Sequence, residues 1–174
     1  IINPYKRKIY ARKCSLEELD ICLYKEFLKT NNVDDNIEYN DNYVIIGLKY
    51  NEEIVIAAYF EKYEDKYVIN NIKSKENTII VGGVSRIFKN FIKFYNPVHI
   101  TSYCDLSKFT GYVYSIIGMK LTGISDPICH WVYKGNHIVD NSEIDRESMI
   151  QNGYVEVYDC GYGIYEWDRD GFKQ

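Results

Sequence analysis

Proline is scarce in this chain, three residues in 174, and no stretch rich in proline, glycine and serine interrupts it. A linker between two domains is therefore not encoded, and without an internal repeat neither is a solenoid or a fibre. Long hydrophobic runs are missing too. None approaches the roughly 20 residues that a membrane-spanning helix needs, and the opening residues lack the pattern of a secretion signal. The expected setting is the cytoplasm, with no membrane partner. An excess of positive charge is also absent: 21 Lys and Arg against 25 Asp and Glu give a formal net charge of −4. Contact with nucleic acid then needs a local patch. The five cysteines include no CxxC pair, which excludes a zinc ribbon or a thioredoxin-type centre. Cys104-Asp105, Cys129-His130 and Cys160 have neither helical nor knuckle spacing, so no metal site is expected.

What the chain has is an ordinary globular balance, 46% apolar and 26% charged residues, at a length that fits one domain with a buried core. Its bias is 18 tyrosines beside abundant Ile, Asn and Lys. These residues share AT-rich codons, so the bias points to a low-GC genome before it points to function.

Residues 6–13 alternate enough for a first strand. Ser15-Leu16-Glu17-Glu18 has the form of a capping box and is expected to open a helix with Leu19, Leu23, Phe27 and Leu28 as its apolar stripe. After a polar loop over 31–36, residues 43–50 and 54–60 read as strands joined by a short turn at Asn51-Glu52, and 67–72 as the next strand. A strand ending at Val81 runs into an amphipathic helix with Ile87, Phe88, Phe91 and Ile92 on one face, stopped by Pro97. Then come a strand over 98–103, a short helix over 110–117 ended by Gly118, and strands over 119–124 and 129–133. A helix over 142–151 with a capping hydroxyl follows, and a hairpin of 154–159 and 162–167 across Cys160-Gly161 closes the order. An early antiparallel meander followed by a βαβ-like stretch means an α/β domain with a mixed, twisted sheet flanked by helices.

The stretch most suggestive of chemistry is Val81-Gly82-Gly83-Val84-Ser85-Arg86, a glycine pair between strand and helix. Glycines let backbone approach a ligand closely, and the free N–H groups of a first helical turn attract an anion. The spacing fits neither a Walker loop nor a GxGxxG fingerprint. A second cluster, Lys6-Arg7-Lys8 with Arg12-Lys13, is the one basic patch at hand for phosphates.

About thirty residues after the glycine pair, Tyr114-Ser115-Ile116-Ile117-Gly118-Met119 resembles the Tyr-x-x-hydrophobic-Gly-hydrophobic segment of the GNAT N-acetyltransferases. The order of elements is also similar to that family's over about residues 6–134, which leaves about 135–174, with the second helix and the hairpin, as a C-terminal extension of a single domain spanning 1–174. The chain is more similar still to a phage-encoded subgroup in which some members carry this domain after a homing-endonuclease-type nuclease domain. The segments in common are Ala11-Arg12-Lys13-Cys14, Phe27-Leu28-Lys29-Thr30-Asn31-Asn32, Val81-Gly82-Gly83-Val84-Ser85-Arg86, Ser102-Tyr103-Cys104-Asp105 and Tyr158-Asp159-Cys160-Gly161. A start at Ile1 suits a domain cut from such a fusion, or a stand-alone relative.

The resemblance implies a splayed strand pair at 67–72 and 98–103 that seats the pantetheine arm of acetyl-CoA or another acyl-CoA. It implies a pyrophosphate held by Val81, Gly82, Gly83, Val84, Ser85 and Arg86, and Tyr114 as the acid that protonates the departing thiolate. For the base, position offers Glu64, Asp65 and Asp105, with Asp105 the choice. The implied activity is acyl transfer to an amine on nucleic acid, protein or a small molecule, by a phage or mobile-element enzyme or a degenerate relative of one. The alternative is a non-catalytic module of the same fold that recognises DNA through Lys6, Arg7, Lys8, Arg12 and Lys13, or engages a host protein. Three departures favour that alternative: Ile79 stands where the subgroup has Gln or Arg, Val84 where it has Gly or Ala, and Asn32 where it has His.

Overall fold

The computed structural model describes residues 7–33 and 38–171. Two long β-runs form its centre, β3 (Tyr43–Tyr50) and β4 (Glu53–Tyr63), a hairpin that turns at Asn51-Glu52 with both residues at positive φ. β4 pairs antiparallel with β5 (Lys66–Ser74), completing the expected meander. β5 then pairs parallel with β7 (His99–Asp105), which requires a crossover, and α2 (Gly83–Tyr95) supplies it. Among the described residues the main sheet has seven strands in the order β2 (Ser15–Glu18), β3, β4, β5, β7, β12 (Tyr162–Asp168), β8 (Lys120–Ile124).

Strand alternation sends side chains to two separate cores. On one face Ile46, Ile56, Phe60 and Ile100 meet Ile87 and Phe91 of α2, with Phe60 and Phe91 stacked at 3.9 Å between ring centroids. On the other face Ile45, Ala57 and Tyr59 meet Tyr24, Phe27 and Leu28 of α1 (Ile21–Thr30). Asn31, buried at the end of α1, donates to the Phe27 carbonyl at 2.7 Å and accepts from the Glu76 N–H at 2.9 Å, which ties the helix to the turn after β5. Among the described residues no helix is long and apolar enough to cross a membrane.

Several local expectations change. Ser15–Glu18 is a strand rather than a helix start, because the ladder to β3 is available to it, and Lys49 adds an ion pair to Glu17 at 2.6 Å. The helix begins after Asp20, whose carboxylate accepts from the Leu23 N–H at 2.9 Å. With that start Tyr24 takes the buried position and Leu23 faces solvent. The first strand shortens to β1 (Arg7–Tyr10), followed by a 3-10 turn at Ala11–Lys13, and Lys6 lies outside the described residues. β1 runs parallel to β6 (Thr78–Val81), the strand that enters the glycine pair. α4 (Arg146–Gln151) starts later than expected, with Asp145 as its cap, because Asn141 draws the Glu143 N–H to its side chain at 2.9 Å and holds 141–144 in a turn.

The segment after β8 departs furthest from local pattern. β9 (Cys129–Tyr133) and β10 (Asn136–Val139), the latter unforeseen, form a hairpin through Lys134-Gly135, and β11 (Val155–Tyr158) joins the other side of β9. The expected C-terminal helix and strand pair are present, and hydrogen bonding divides the two strands between sheets: β11 pairs with β9, β12 with β7 and β8. The main sheet therefore draws on residues beyond 134, and the small sheet with α4 is interposed between two neighbouring strands of it.

Candidate functional site

The parallel ladder between β5 and β7 covers only Lys66–Ile69 against His99–Ser102. Its end has a local cause. Along β4, Phe60 pairs with Ile69 but Tyr59 pairs with Asn71, so Asn70 is an extra residue in β5. Such a bulge bends its strand, and β5 turns away from β7 one residue after the last parallel rung. The gap between them is a cleft of about 380 Å³ whose walls include Asn71, Val84, Tyr103, Cys104, Phe109 and Tyr114.

The N-terminus of α2 stands at this opening. Gly82 caps the helix in the left-handed region, φ 75°, where a side chain is strained. Gly83 serves close approach instead: a Cβ there would lie 2.8 Å from Ile80 Cγ2. The first-turn N–H groups of Gly83, Val84 and Ser85 have no helical partners by construction. Val84 lines the cleft, while Val81, Gly82 and Ser85 line an open groove of about 670 Å³ on the other side, beside Tyr10, Arg12 and Lys89. The helix start is thus reachable from both, with two cations nearby. Arg86 is placed differently. Its guanidinium donates to the carbonyls of Ala11 and Cys14, the latter at 2.6 Å, and so fixes the 3-10 turn to α2.

Tyr114 lies on α3 (Tyr112–Ile116), which starts from Gly111 at φ 73°. Any Cβ on Gly111 would collide with Tyr165 at 2.0 Å from its hydroxyl, so this glycine permits the contact that seats α3. The Tyr114 ring packs on Tyr165 with centroids 5.1 Å apart, and Tyr165 pairs with Ser102 across the ladder between β7 and β12. Burial is the main influence on the phenol and raises its pKa above the usual tyrosine value. The hydrogen-bonding approach of Ser102 opposes the rise, while Cys104 and Tyr165 add to it.

Asp105 closes β7 at the rim of the cleft. One carboxylate oxygen accepts from the Ser107 N–H at 3.0 Å and the other lies 3.4 Å from Lys108 Nζ. Glu64 and Asp65, the other bases considered, occupy the β4–β5 turn at the start of β5, with the whole parallel ladder between them and the cleft. The basic cluster is dispersed in its contacts. Arg7 pairs with Glu53 at 2.9 Å, Lys8 and Arg12 lie over the Tyr10 ring at 5.4 and 5.3 Å from its centroid, and Lys13 is exposed.

Ser102 enters the sequence reading only as part of a shared segment and of the strand over 98–103, with no side-chain role, and the Asn70 bulge does not enter it at all. A signal for Ser102 exists: along Ile100, Ser102 and Cys104 it is the one polar side chain in a buried alternation, with 0% exposure. The bulge depends on pairing register and has no such signal.

No protein-family model matches the chain, and no curated protein sequence matches it. Solved structures do. A GNAT family acetyltransferase from Elizabethkingia anophelis with acetyl-CoA bound aligns at a TM-score of 0.58 and 15% identity, over 90% of this chain and 98% of that one. An acetyltransferase from Bacillus subtilis in complex with CoA gives 0.56 and 15% over 90% and 99%. An aminoglycoside 6'-acetyltransferase type Ii gives 0.56 and 11% over 88% and 96%. These likenesses establish the fold as that of the GNAT acetyltransferases.

Proposed function

We propose that the chain is an acyl-CoA-dependent N-acyltransferase. The observation that carries the reading is the coincidence of three features: a parallel pair opened by the Asn70 bulge, a glycine-led helix start at the opening, and a tyrosine hydroxyl on its wall. Acyl-CoA, when bound, supplies an acyl group activated as a thioester. Gly83, Val84 and Ser85 offer N–H donors to its pyrophosphate at the positive end of α2, and Arg12 and Lys89 supply charge across the groove. The absence of side chains at Gly82 and Gly83 leaves that approach clear. Tyr114 keeps its proton at neutral pH and holds it inside the cleft, where a leaving thiolate needs one. Asp105, at the rim, is the carboxylate placed to take a proton from an entering amine.

The resemblance of five segments to a phage-encoded subgroup supports a phage or mobile-element setting and an acceptor amine on nucleic acid or protein. One observation favours the second reading, a module of this fold that binds without catalysis: Arg86 lines the groove but spends its guanidinium on the backbone carbonyls of Ala11 and Cys14. Calorimetric titration with acetyl-CoA separates the two. Binding is expected, and Ser85→Glu should weaken it at least tenfold with the melting temperature unchanged, since Glu is well tolerated in a first helical turn. Gly83→Glu is the poorer probe because it also drives a side chain into Ile80. No heat at millimolar acetyl-CoA would remove the enzymatic reading.

A further inference from the structure

The turn after β7 is pinned along its backbone, while one of its side chains is free to swing. The Asp105 carbonyl accepts from the Lys108 and Phe109 N–H groups at 3.2 and 2.9 Å, and the Asp105 carboxylate accepts from the Ser107 N–H at 3.0 Å. Toward β12, the Leu106 N–H donates to the Gly161 carbonyl at 3.1 Å, and the Ser107 hydroxyl oxygen accepts from the Cys160 N–H at 3.0 Å. The Lys108 side chain is 73% exposed and reaches back to Asp105, with Nζ 3.4 Å from Oδ2. An exposed ion pair contributes little to stability, so the amine leaves it readily. Asp105 and Phe109, on either side of Lys108 in the chain, both line the cleft that Tyr114 lines. Other ion-paired lysines differ: Lys49 pairs with Glu17 on β2 and Lys75 with Glu53 at the start of β4, and none of these residues lines the cleft. We infer that Lys108 is the chain's own acceptor, a self-acylation site at the rim of the cleft.

The inference rests on the acyltransferase reading and narrows its acceptor to a protein lysine. In the step, the Lys108 ammonium loses a proton to Asp105, and the lone pair this frees attacks the carbonyl carbon of the thioester. A C–N bond forms, the C–S bond breaks with its electron pair on sulfur, and the Tyr114 proton completes the thiol. The second proton shed by the nitrogen restores the Tyr114 phenol, and Asp105 releases its own to solvent. Nucleophile and base share one fixed turn, so no encounter between chains is needed, and tethering of this kind acts as a high effective concentration. The product is an amide without charge or basicity. It has no further lone pair to offer, and the reaction stops at one acyl group on this turn.

The test incubates the whole chain with acetyl-CoA and follows its intact mass. Wild type should gain one acetyl group, placed on Lys108 by peptide mapping, at a rate per chain that does not depend on protein concentration. Lys29 on α1 and Lys134 in the β9–β10 turn, both exposed, report the uncatalysed background, which Lys108 should outpace by about tenfold or more. Lys108→Arg keeps a cation beside Asp105 and should leave only that background. Tyr114→Phe and Asp105→Asn should each slow the Lys108 reaction by about tenfold or more with the melting temperature little changed, since Asn keeps an oxygen for the Ser107 N–H. If Asp105→Asn does not fold, Tyr114→Phe, which keeps the ring, decides alone. Equal labelling of Lys108, Lys29 and Lys134 overturns the proposal, as does a rate unmoved by the variants or one that rises with protein concentration. Failure of the acyltransferase reading shows separately, as no heat on titrating wild type with acetyl-CoA. Heat with Lys108 left unmodified ends this proposal and leaves that reading standing.

Discussion

A phenol that stands in a cleft, against a neighbouring ring and beside a buried serine, is set up to hold a proton and to release it only to a base brought close. Tyr114→Phe keeps the ring on Tyr165 and removes that proton. Turnover should fall 10- to 1000-fold, around the usual general-acid contribution, with acetyl-CoA affinity and melting temperature nearly unchanged. Steady-state kinetics beside calorimetry checks both halves, and unchanged turnover would remove Tyr114 from the chemistry. Tyr114 and the glycine pair were legible in the sequence because each is a local pattern: a spacing within six residues, or a break between strand and helix. Arg86 was legible only as a neighbour of the loop. Its contacts run to Ala11 and Cys14, more than seventy positions away, and no spacing encodes them.

At the scale of elements, the carboxylate of Asp159 gathers the start of β9 and the turn that leads from β11 into β12. Asp159 Oδ1 accepts from the N–H groups of Ile128 and Gly161, both at 2.8 Å, and Oδ2 lies 2.8 Å from His130 Nε2. The His130 hydrogen bond first, and then the two backbone donors, hold the Asp159 carboxyl down to about 2. A group with a depressed pKa contributes stability that is complete above its unfolded value, near 3.8, and is lost as pH falls through about 2. Thermal melts of wild type and Asp159→Asn should therefore differ most at neutral pH and converge between pH 4 and 2. A difference that persists at pH 2 would exclude this linkage. Element identities were mostly readable, since the long β-runs and α2 carry strong periodicity. Boundaries failed where a distant partner outweighed a local signal, as when β3 took Ser15–Glu18 from the helix that its capping box suggested.

For the molecule as a whole, the sequence conveyed the fold class but not the route of the chain through the sheet. Nothing in residues 120–168 marks β8 and β12 as neighbours, because the pairing skips the whole of β9 to β11. The two sheets should also differ in resilience. β4 is buried over 55–61 between α1 and α2, with Tyr67 and Ile69 of β5 buried beside it, while β10 is exposed throughout and β11 at every residue but Glu156. Hydrogen exchange should leave amides of β4 and β5 protected longest and release those of β9 to β11 early. Equal protection in both would mean that they open as one unit.

The position of β12 between β7 and β8 also bears on how the protein is made. Tyr165, against which Tyr114 packs, belongs to the strand that the ribosome delivers last among those of the main sheet. Until residue 168 has emerged, β7 and β8 have no bridge between them, and Tyr114 of α3 lacks the Tyr165 ring on which it packs. The nascent chain can close the meander and dock α1 and α2 during synthesis, yet its cleft lacks Tyr162, and its wall at Tyr114 lacks support from Tyr165, until translation of β12 is finished.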